Sequence, residues 1–217
     1  MILVVSTGYA APSKFRCLGS VATQKGVDLR HIYIDAAEQP TPRGAMQNQY
    51  EAIVNAASPD DIVALVDGDD WLPHPGCLAR VQAEHDAGAW MTWGSFQFSD
   101  GRAGSAAPHE PGDDVRSAPW RMSHLKTFRA SLFRRIDPEP NFKRDGEWLV
   151  HARDLAVMFP LYELCPPERR RFIPETIYTY DLAASFEWTA LPGDLQREQE
   201  DVAYVRSLDR LAPVVSL

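Results

Sequence analysis

Apolar and polar residues alternate along the first half of the chain in a pattern that predicts strands and helices in turn. Residues 2–6 form a short apolar run, as expected of a buried parallel strand, and residues 62–66 form another. Residues 30–35 are interpreted as a further strand, which ends at Asp35. Helices with one apolar face are predicted from Ser13 onward and over about 45–57. Strands and helices that alternate in this way predict right-handed βαβ units, and therefore an α/β fold with a mostly parallel sheet.

The predicted helices are located by apolar side chains at intervals of three and four residues. These side chains are Phe15, Leu18, Val21 and Ala22 in the first helix, and Met46, Tyr50, Ile53, Val54 and Ala57 in the second. Residues 99–119 lack this periodicity, are rich in Gly, Ala, Ser, Pro and Asp, and predict a long mobile loop. The other predicted elements are a helix at 75–87, an aromatic strand at 90–98, strands at 124–128 and 173–180, a helix at 145–164 interrupted at Pro160, and a C-terminal helix from Asp194 to about Leu208.

The composition fits one globular domain over residues 1–217. Apolar residues make up 45% of the chain and charged residues 24%, which is enough for a sizeable core. The net charge of −8 argues against a protein that wraps around nucleic acid, because such proteins usually carry a basic face.

Cysteine usage and hydropathy predict a cytoplasmic protein. The three cysteines are odd in number and far apart, as expected of reduced thiols rather than of a disulfide framework or a zinc site. The apolar run at 2–5 is too short for a signal peptide. Since no stretch reaches the roughly 18 apolar residues of a membrane-spanning helix, we expect no stable membrane insertion.

The acidic turn Asp67–Asp70, with the sequence Asp-Gly-Asp-Asp, is the strongest candidate for a functional site. It directly follows the apolar run at 62–66, and Thr7 and Asp35 follow two other predicted strands. In parallel sheets, ligands bind beyond the carboxyl ends of the strands, so these residues are expected to share one cleft. Carboxylate oxygens suit hard cations such as Mn²⁺ and Mg²⁺, and a cation neutralises the charge that develops on a diphosphate leaving group.

Other interpretations of the acidic turn are weaker. An isolated Asp-Gly-Asp is common in surface turns, but here three acids follow a buried strand and repel one another unless a cation compensates them. Phosphatases that use Asp-x-Asp carry it after the first strand, where this chain has none. The spaced ligands of an EF-hand, the glycine motif of dinucleotide-binding proteins and the Walker phosphate-binding loop are all absent from the sequence.

Several motifs, in the correct order, resemble those of family-2 glycosyltransferases, which have the GT-A fold. The segment Val66–Leu72 resembles the Asp-x-Asp-Asp-Trp-Leu signature of that family and is the most specific match. Weaker matches are Thr7-Gly8-Tyr9 after the first strand, Cys17–Gln24 in the first helix, Ile34-Asp35 at a strand end, and Gly44–Asn48 at the start of the second helix.

The resemblance implies a division of labour along the chain. Residues 1–98 would bind the nucleotide-sugar, and 99–217 would bind the acceptor and contribute the C-terminal helix. The metal, Mn²⁺ or Mg²⁺, would be held by Asp69 with Asp67. The residues that the resemblance assigns to donor binding are Thr7, Tyr9, Asp35, Asn48, Asp67 and Asp69.

The resemblance also implies a catalytic base, which best matches Asp154. The family usually has a Glu-Asp pair at the start of a helix, and this chain has Arg153 in place of the glutamate, so Glu147 and Asp145 remain competitors. If the helix begins near Asp145, its apolar face carries Trp148, Leu149, Ala152, Leu155, Ala156 and Phe159, with Asp154 nearly opposite. Asp154 would then remove a proton from the acceptor hydroxyl in an inverting single displacement.

Three points stay open at the level of the sequence. Family members often use a histidine as a further metal ligand, and the spacing does not select among His109, His124 and His151. The donor is expected to be a uridine diphosphate sugar. The sequence does not select the acceptor among a glycan, a lipid, a protein, a small molecule and a modified nucleic acid, and it does not determine the oligomeric state. A non-catalytic nucleotide-sugar-binding module and a nucleotidyltransferase are the alternative functions.

Overall fold

The computed structural model describes residues 1–8, 13–39, 43–110, 112–185 and 194–217. Tyr9, which the resemblance assigns to donor binding, lies outside these residues. The strands are β1 Ile2–Gly8, β2 Leu29–Asp35, β3 Ile62–Leu65, β4 Met91–Phe98, β5 Lys126–Arg129, β6 Lys143–Arg144, β7 Glu147–Trp148 and β8 Arg170–Tyr180. The helices are α1 Ser13–Ala22, α2 Ala45–Ala56, α3 Cys77–Asp86, α4 Ala130–Phe133, α5 Pro138–Asn141, α6 Arg153–Leu164, α7 Leu182–Ser185 and α8 Asp194–Ser207.

Six of the strands form one mixed sheet in the order β2-β1-β3-β5-β4-β8. The pairs β2/β1, β1/β3 and β4/β8 are parallel, whereas β5 is antiparallel to both of its neighbours. Strands β6 and β7 form a separate two-stranded hairpin. The predicted α/β fold with a mostly parallel sheet and a C-terminal helix is therefore confirmed.

The central strands are buried on both faces, which explains why they lack an alternating pattern in the sequence. Leu3 and Val5 of β1 belong to one apolar cluster, which includes residues of α2 and α6. Ile2 and Val4 belong to a second cluster on the opposite face, which includes residues of α1 and α3. Apolar layers thus pack against both faces of the sheet, and polar groups are found at the ends of the strands.

The structure corrects two of the predicted helices. Phe15 was expected on the inner face of α1 together with Val21, but it is 77% exposed, and the residues buried beside Val21 are Ser13 and Cys17. The helix predicted at 145–164 begins only at Arg153, because the preceding residues form the β6–β7 hairpin.

Backbone conformation explains the late start of α6. Asp145 and Ala152 have φ angles of 54° and 53°, which a right-handed helix excludes. The predicted interruption at Pro160 is absent, and α6 runs through it. Phe159 and Leu161 on either side of this proline are fully buried, so packing offsets the hydrogen bond that proline cannot donate.

The long segment between β4 and β5 lacks helices and strands among its described residues, as predicted, but it is anchored to the core. Arg116 is buried and donates two hydrogen bonds to Glu163 of α6, at 2.6 and 2.9 Å. A third hydrogen bond, of 2.6 Å, joins it to the carbonyl of Val205 in α8. Of the helices that the structure describes, none combines the length and the apolar character needed to cross a membrane.

Candidate active site

The acidic turn lies at the carboxyl edge of the sheet, against the end of β1. The amide of Gly68 donates to the carbonyl of Thr7 at 3.0 Å, so the turn continues the pairing of β3 with β1. A Cβ atom on Gly68 would lie 2.8 Å from the Cα of Gly8 and 2.9 Å from that same carbonyl. Only glycine permits this approach, which explains the glycine between the first two acids.

Asp70 is the buried anchor of the acidic turn. One of its oxygens accepts a hydrogen bond from the hydroxyl of Tyr178 at 2.7 Å, and the other accepts one from the amide of Asp181, also at 2.7 Å. Burial and the charges of Asp67 and Asp69 raise its pKa well above the usual range. These contacts attach the turn to the carboxyl end of β8.

The structure brings one histidine to the acidic turn. The Nδ1 atom of His124 lies 3.7 Å from an oxygen of Asp67, which is too long for a hydrogen bond. This Nδ1 atom is buried and has no hydrogen-bond partner among the described residues. Burial and the nearby ammonium of Lys126 lower the pKa of His124 to about 4, so the ring is neutral at pH 7.

Asp67, Asp70 and His124 have the chemistry of a divalent-cation site. One ligand atom from each lies within 4.8 Å of the others. Two carboxylates and a neutral imidazole suit Mn²⁺, and the unpartnered nitrogen is of the kind that a metal would satisfy. These residues therefore fit the metal that the resemblance implies.

Asp69, the metal ligand expected from the sequence, lies outside this group of three but shares its electrostatic environment. Burial and the neighbouring charge of Asp67 raise its pKa to about 6, and the guanidinium of Arg153 acts in the opposite direction. The carboxylates of this turn thus repel one another, and a bound cation would relieve that repulsion.

Asp154 forms an ion pair at the start of α6. Its Oδ1 accepts a hydrogen bond from the Nζ of Lys126 at 2.5 Å. Burial alone would raise the pKa of Asp154, but Lys126, His124 and Arg153 together hold it below the usual range. The side chain nevertheless remains 41% exposed, so Asp154 is a carboxylate that solvent can reach.

The two parts of the site are joined by the segment that leads into β5. Lys126 pairs with Leu65 at the end of β3, and His124 lies two residues earlier. His124 lies beside Asp67 of the acidic turn and Lys126 binds Asp154, so this segment connects the acidic turn with the carboxylate of α6.

The other residues that the resemblance assigns to the donor are engaged within the protein. The carboxylate of Asp35 accepts hydrogen bonds from Lys14 at 2.6 Å and from the amide of Ala37 at 3.0 Å. Asn48 is buried and exchanges hydrogen bonds with the side chain of Gln39. The hydroxyl of Thr7 accepts a hydrogen bond from Gln49 at 3.4 Å, next to the acidic turn.

The remaining candidates lie elsewhere. Asp145 is almost fully exposed and lies between β6 and β7, and Glu147 lies in the same hairpin. His109 packs against Trp93 and Tyr162.

Sequence reasoning listed His124 without selecting it and missed Lys126. Each is one of several polar residues in the stretch Arg121–Arg129, and their placement at the site depends on the pairing of β5 with β3.

Comparisons with known proteins support the assignment of the fold. No protein-family model and no curated protein matches the sequence. Staphylococcus aureus TarS, residues 1–349, matches with a TM-score of 0.64 and 15% identity over 94% of this chain and 64% of that chain. The same TarS fragment in complex with UDP-GlcNAc matches with a TM-score of 0.57 and 12% identity over 83% of this chain and 58% of that chain.

A second protein has the same fold. The mannosyltransferase PcManGT from Pyrobaculum calidifontis, in complex with GDP-Man and Mn²⁺, matches with a TM-score of 0.50 and 15% identity over 94% of this chain and 69% of that chain. The chain spans less than two thirds of the length of the TarS structures. The resemblance predicted from the sequence is confirmed at the level of the fold, and the chain has the GT-A fold of these proteins.

Proposed function

We propose that this protein is a metal-assisted glycosyltransferase that moves a sugar from a nucleoside diphosphate sugar to an acceptor hydroxyl with inversion. The observation that carries this proposal is the placement of two groups at one sheet edge. The first is the cation-binding set of Asp67, Asp70 and His124, and the second is the exposed carboxylate of Asp154. The GT-A fold and the two neighbours bound to UDP-GlcNAc and GDP-Man support this function.

The donor half of the site holds the diphosphate. Asp67, Asp70 and His124 would hold the cation, and Asp69 lies in the same turn. The chemistry that a bound Mn²⁺ or Mg²⁺ supplies is neutralisation of the charge on the departing nucleoside diphosphate. Thr7 borders the same turn and is a candidate contact for the nucleotide. We propose that the nucleoside of the donor is uridine.

The acceptor half supplies the base. Lys126 holds one oxygen of Asp154, and the exposure of this side chain leaves the second oxygen available to accept a proton. As the acceptor hydroxyl loses its proton to Asp154, its oxygen forms a bond to the anomeric carbon and the bond from that carbon to the diphosphate breaks. A single attack from the face opposite the leaving group inverts the configuration of the sugar.

Binding of the donor is the first test. We expect isothermal titration to detect UDP binding to the wild-type protein in the presence of Mn²⁺ and much weaker binding when the Mn²⁺ is chelated. Asp67→Asn and His124→Gln should each weaken Mn²⁺-dependent UDP binding by more than about tenfold, because losing a cation ligand costs at least as much as losing a residue that orients one. Asp86→Asn, on the exposed surface of α3, is the matched control and should bind as the wild type does.

Release of the nucleotide from a panel of nucleotide-sugars, with and without pooled acceptors, is the second test. Asp154→Asn should bind the donor normally and lose at least 100-fold in turnover, which is typical of removing a general base. Donor binding without turnover in the wild-type protein would favour the non-catalytic nucleotide-sugar-binding module. Undiminished turnover of Asp154→Asn would remove Asp154 as the base.

A further inference from the structure

Tyr178 of β8 contacts each of the three residues that form the candidate cation site. Its hydroxyl donates to the carboxylate of Asp70 at 2.7 Å and accepts from the backbone amide of Asp67 at 3.0 Å. Its ring is stacked on that of His124, with the centroids 4.4 Å apart and the planes inclined by 11°. Asp67 and Asp70 belong to the acidic turn and His124 to the segment before β5, and Tyr178 is their common neighbour.

The contacts of the hydroxyl are directional and complete. A phenol has one proton to donate and lone pairs to accept with, and here it donates to a carboxylate and accepts from an amide. Tyr178 is fully buried, so water cannot replace either partner. Phenylalanine would keep the stacked ring but could make neither hydrogen bond.

The position of the hydroxyl decides which atoms it holds. It fixes the first acid of the turn through the backbone, so the carboxylate of Asp67 remains free to bind a ligand. It fixes the last acid through the side chain, and the amide of Asp181 holds the other oxygen of that acid. The stacked ring restrains His124 so that its unpartnered Nδ1 faces Asp67.

We infer that Tyr178 is the positioning residue of the cation site: its hydroxyl and ring hold Asp67, Asp70 and His124 in the arrangement that binds a divalent metal. This inference rests on the metal-assisted function proposed above and assigns to Tyr178 no contact with the metal or the sugar. Residues that orient metal ligands in this way typically change metal affinity 10- to 100-fold when they are replaced.

The test is titration of the purified protein with Mn²⁺ alone, followed by electron paramagnetic resonance of the free ion. We expect Tyr178→Phe to lower the Mn²⁺ affinity about tenfold, because the ring remains and the hydroxyl is lost. Tyr178→Leu, which also removes the stacked ring, should lower it about a hundredfold. In pulsed measurements, the ¹⁴N modulation from a bound histidine should persist in the Phe variant and weaken in the Leu variant.

The matched control is Tyr204→Phe. The hydroxyl of Tyr204 also contacts two backbone groups, the carbonyls of Pro140 and Lys143, both at 3.1 Å. This variant loses the same atom and two hydrogen bonds, and it should bind Mn²⁺ as the wild type does. An equal loss of affinity in both variants would show a general effect of destabilisation and would overturn the inference.

The outcomes separate this inference from the proposed function. Mn²⁺ binding within twofold of the wild type in a folded Tyr178→Phe variant would overturn the role of Tyr178 and leave the metal site intact. Failure of the wild-type protein to bind Mn²⁺ would overturn both.

If the Phe variant does not fold, hydrogen exchange of the wild-type protein gives the answer. Mg²⁺ should protect the amides of 66–71 and of 177–182 together, and protection confined to 66–71 would contradict the inference.

Discussion

The ammonium of Lys126 and the carboxylate of Asp154 lie 2.5 Å apart, yet only one of them is buried. The side chain of Lys126 is 2% exposed, whereas that of Asp154 is 41% exposed. Within the described part of the chain, Asp154 is the hydrogen-bonding partner of the Lys126 ammonium. The pair is therefore asymmetric. Water can solvate the carboxylate of Asp154 if the lysine is removed, but it cannot reach the ammonium of Lys126 if the aspartate is removed.

This asymmetry predicts unequal effects on stability. Asp154→Asn should lower the free energy of unfolding by about 3 kcal/mol, because it leaves a buried ammonium without a counter-charge. Lys126→Met should cost only about 1 kcal/mol or less, because water can solvate the remaining carboxylate. Urea denaturation of both variants and of the double variant provides the measurement, and the double variant should be more stable than Asp154→Asn alone.

The buried pair of Arg116 and Glu163 is predicted to hold the C-terminal helix. Glu163→Gln should lower the free energy of unfolding by about 3 kcal/mol, because the guanidinium of Arg116 is fully buried and loses its counter-charge. Hydrogen exchange should increase first in α8, whose Val205 carbonyl accepts from the same guanidinium. Arg210→Gln is the control. It breaks a surface pair with Asp114 and should cost less than about 1 kcal/mol.

Gly68→Ala is predicted to disrupt the acidic turn. Its Cβ would lie 2.8 Å from a backbone atom of Gly8, so the end of β1 and the turn would have to separate. Mn²⁺ binding should fall below detection in isothermal titration.

Gly19→Ala, in α1, is the control for Gly68→Ala. Its Cβ would meet nothing within 4 Å, and the variant should gain roughly 0.5–1 kcal/mol of stability. Wild-type Mn²⁺ affinity in Gly68→Ala would contradict the proposed role of the turn.

Acid sensitivity is predicted from His85, a buried histidine far from the acidic turn in sequence. Burial lowers its pKa from 6.5 in the unfolded chain to about 3. Below pH 6.5 His85 therefore takes up a proton in the unfolded chain but not in the folded protein. The contribution of the neutral buried histidine to stability is fully present above pH 6.5 and is lost as the pH falls toward 3. Between pH 7 and 5 the loss from this group should be about 2 kcal/mol.

Comparison with His85→Gln isolates that effect. The variant lacks the titrating group, so its free energy of unfolding should fall less steeply with acidification than that of the wild type. Chemical denaturation at several pH values gives the two slopes. Parallel slopes would show that His85 does not contribute.

Local sequence patterns were sufficient for most of the longer strands and helices and for the position of the acidic turn. Strands β1 and β3 follow from continuous apolar runs, whereas β2 also carries Arg30 and His31, and the acidic turn directly follows the apolar run of β3. Asp67 and Asp69 could be proposed as metal ligands because strand and acids are neighbours in sequence. The late start of α6 could not be predicted, because it depends on positive φ angles at Asp145 and Ala152, neither of which is glycine.

The third member of the cation site and the partner of Asp154 depend on contacts between distant parts of the chain. His124 is 57 positions from Asp67, and Lys126 is 28 positions from Asp154. Their approach follows from the antiparallel pairing of β5 with β3, which the sequence does not reveal. The burial of Phe15 was predicted wrongly for a related reason. An amphipathic pattern does not determine which of two adjacent helix faces packs against the sheet.

The position of β5 between β3 and β4 has a consequence for dividing this protein into fragments. A cut after residue 98 would separate the two halves proposed from the sequence, but it would leave β3 and β4 in the N-terminal fragment and place β5, which pairs with both, in the C-terminal fragment. The edges of β3 and β4 that pair with β5 would then be unpaired in the N-terminal fragment, which favours aggregation. An experiment that exchanges donor specificity with another GT-A protein should therefore replace only the turns at the strand ends and keep the whole sheet of one protein.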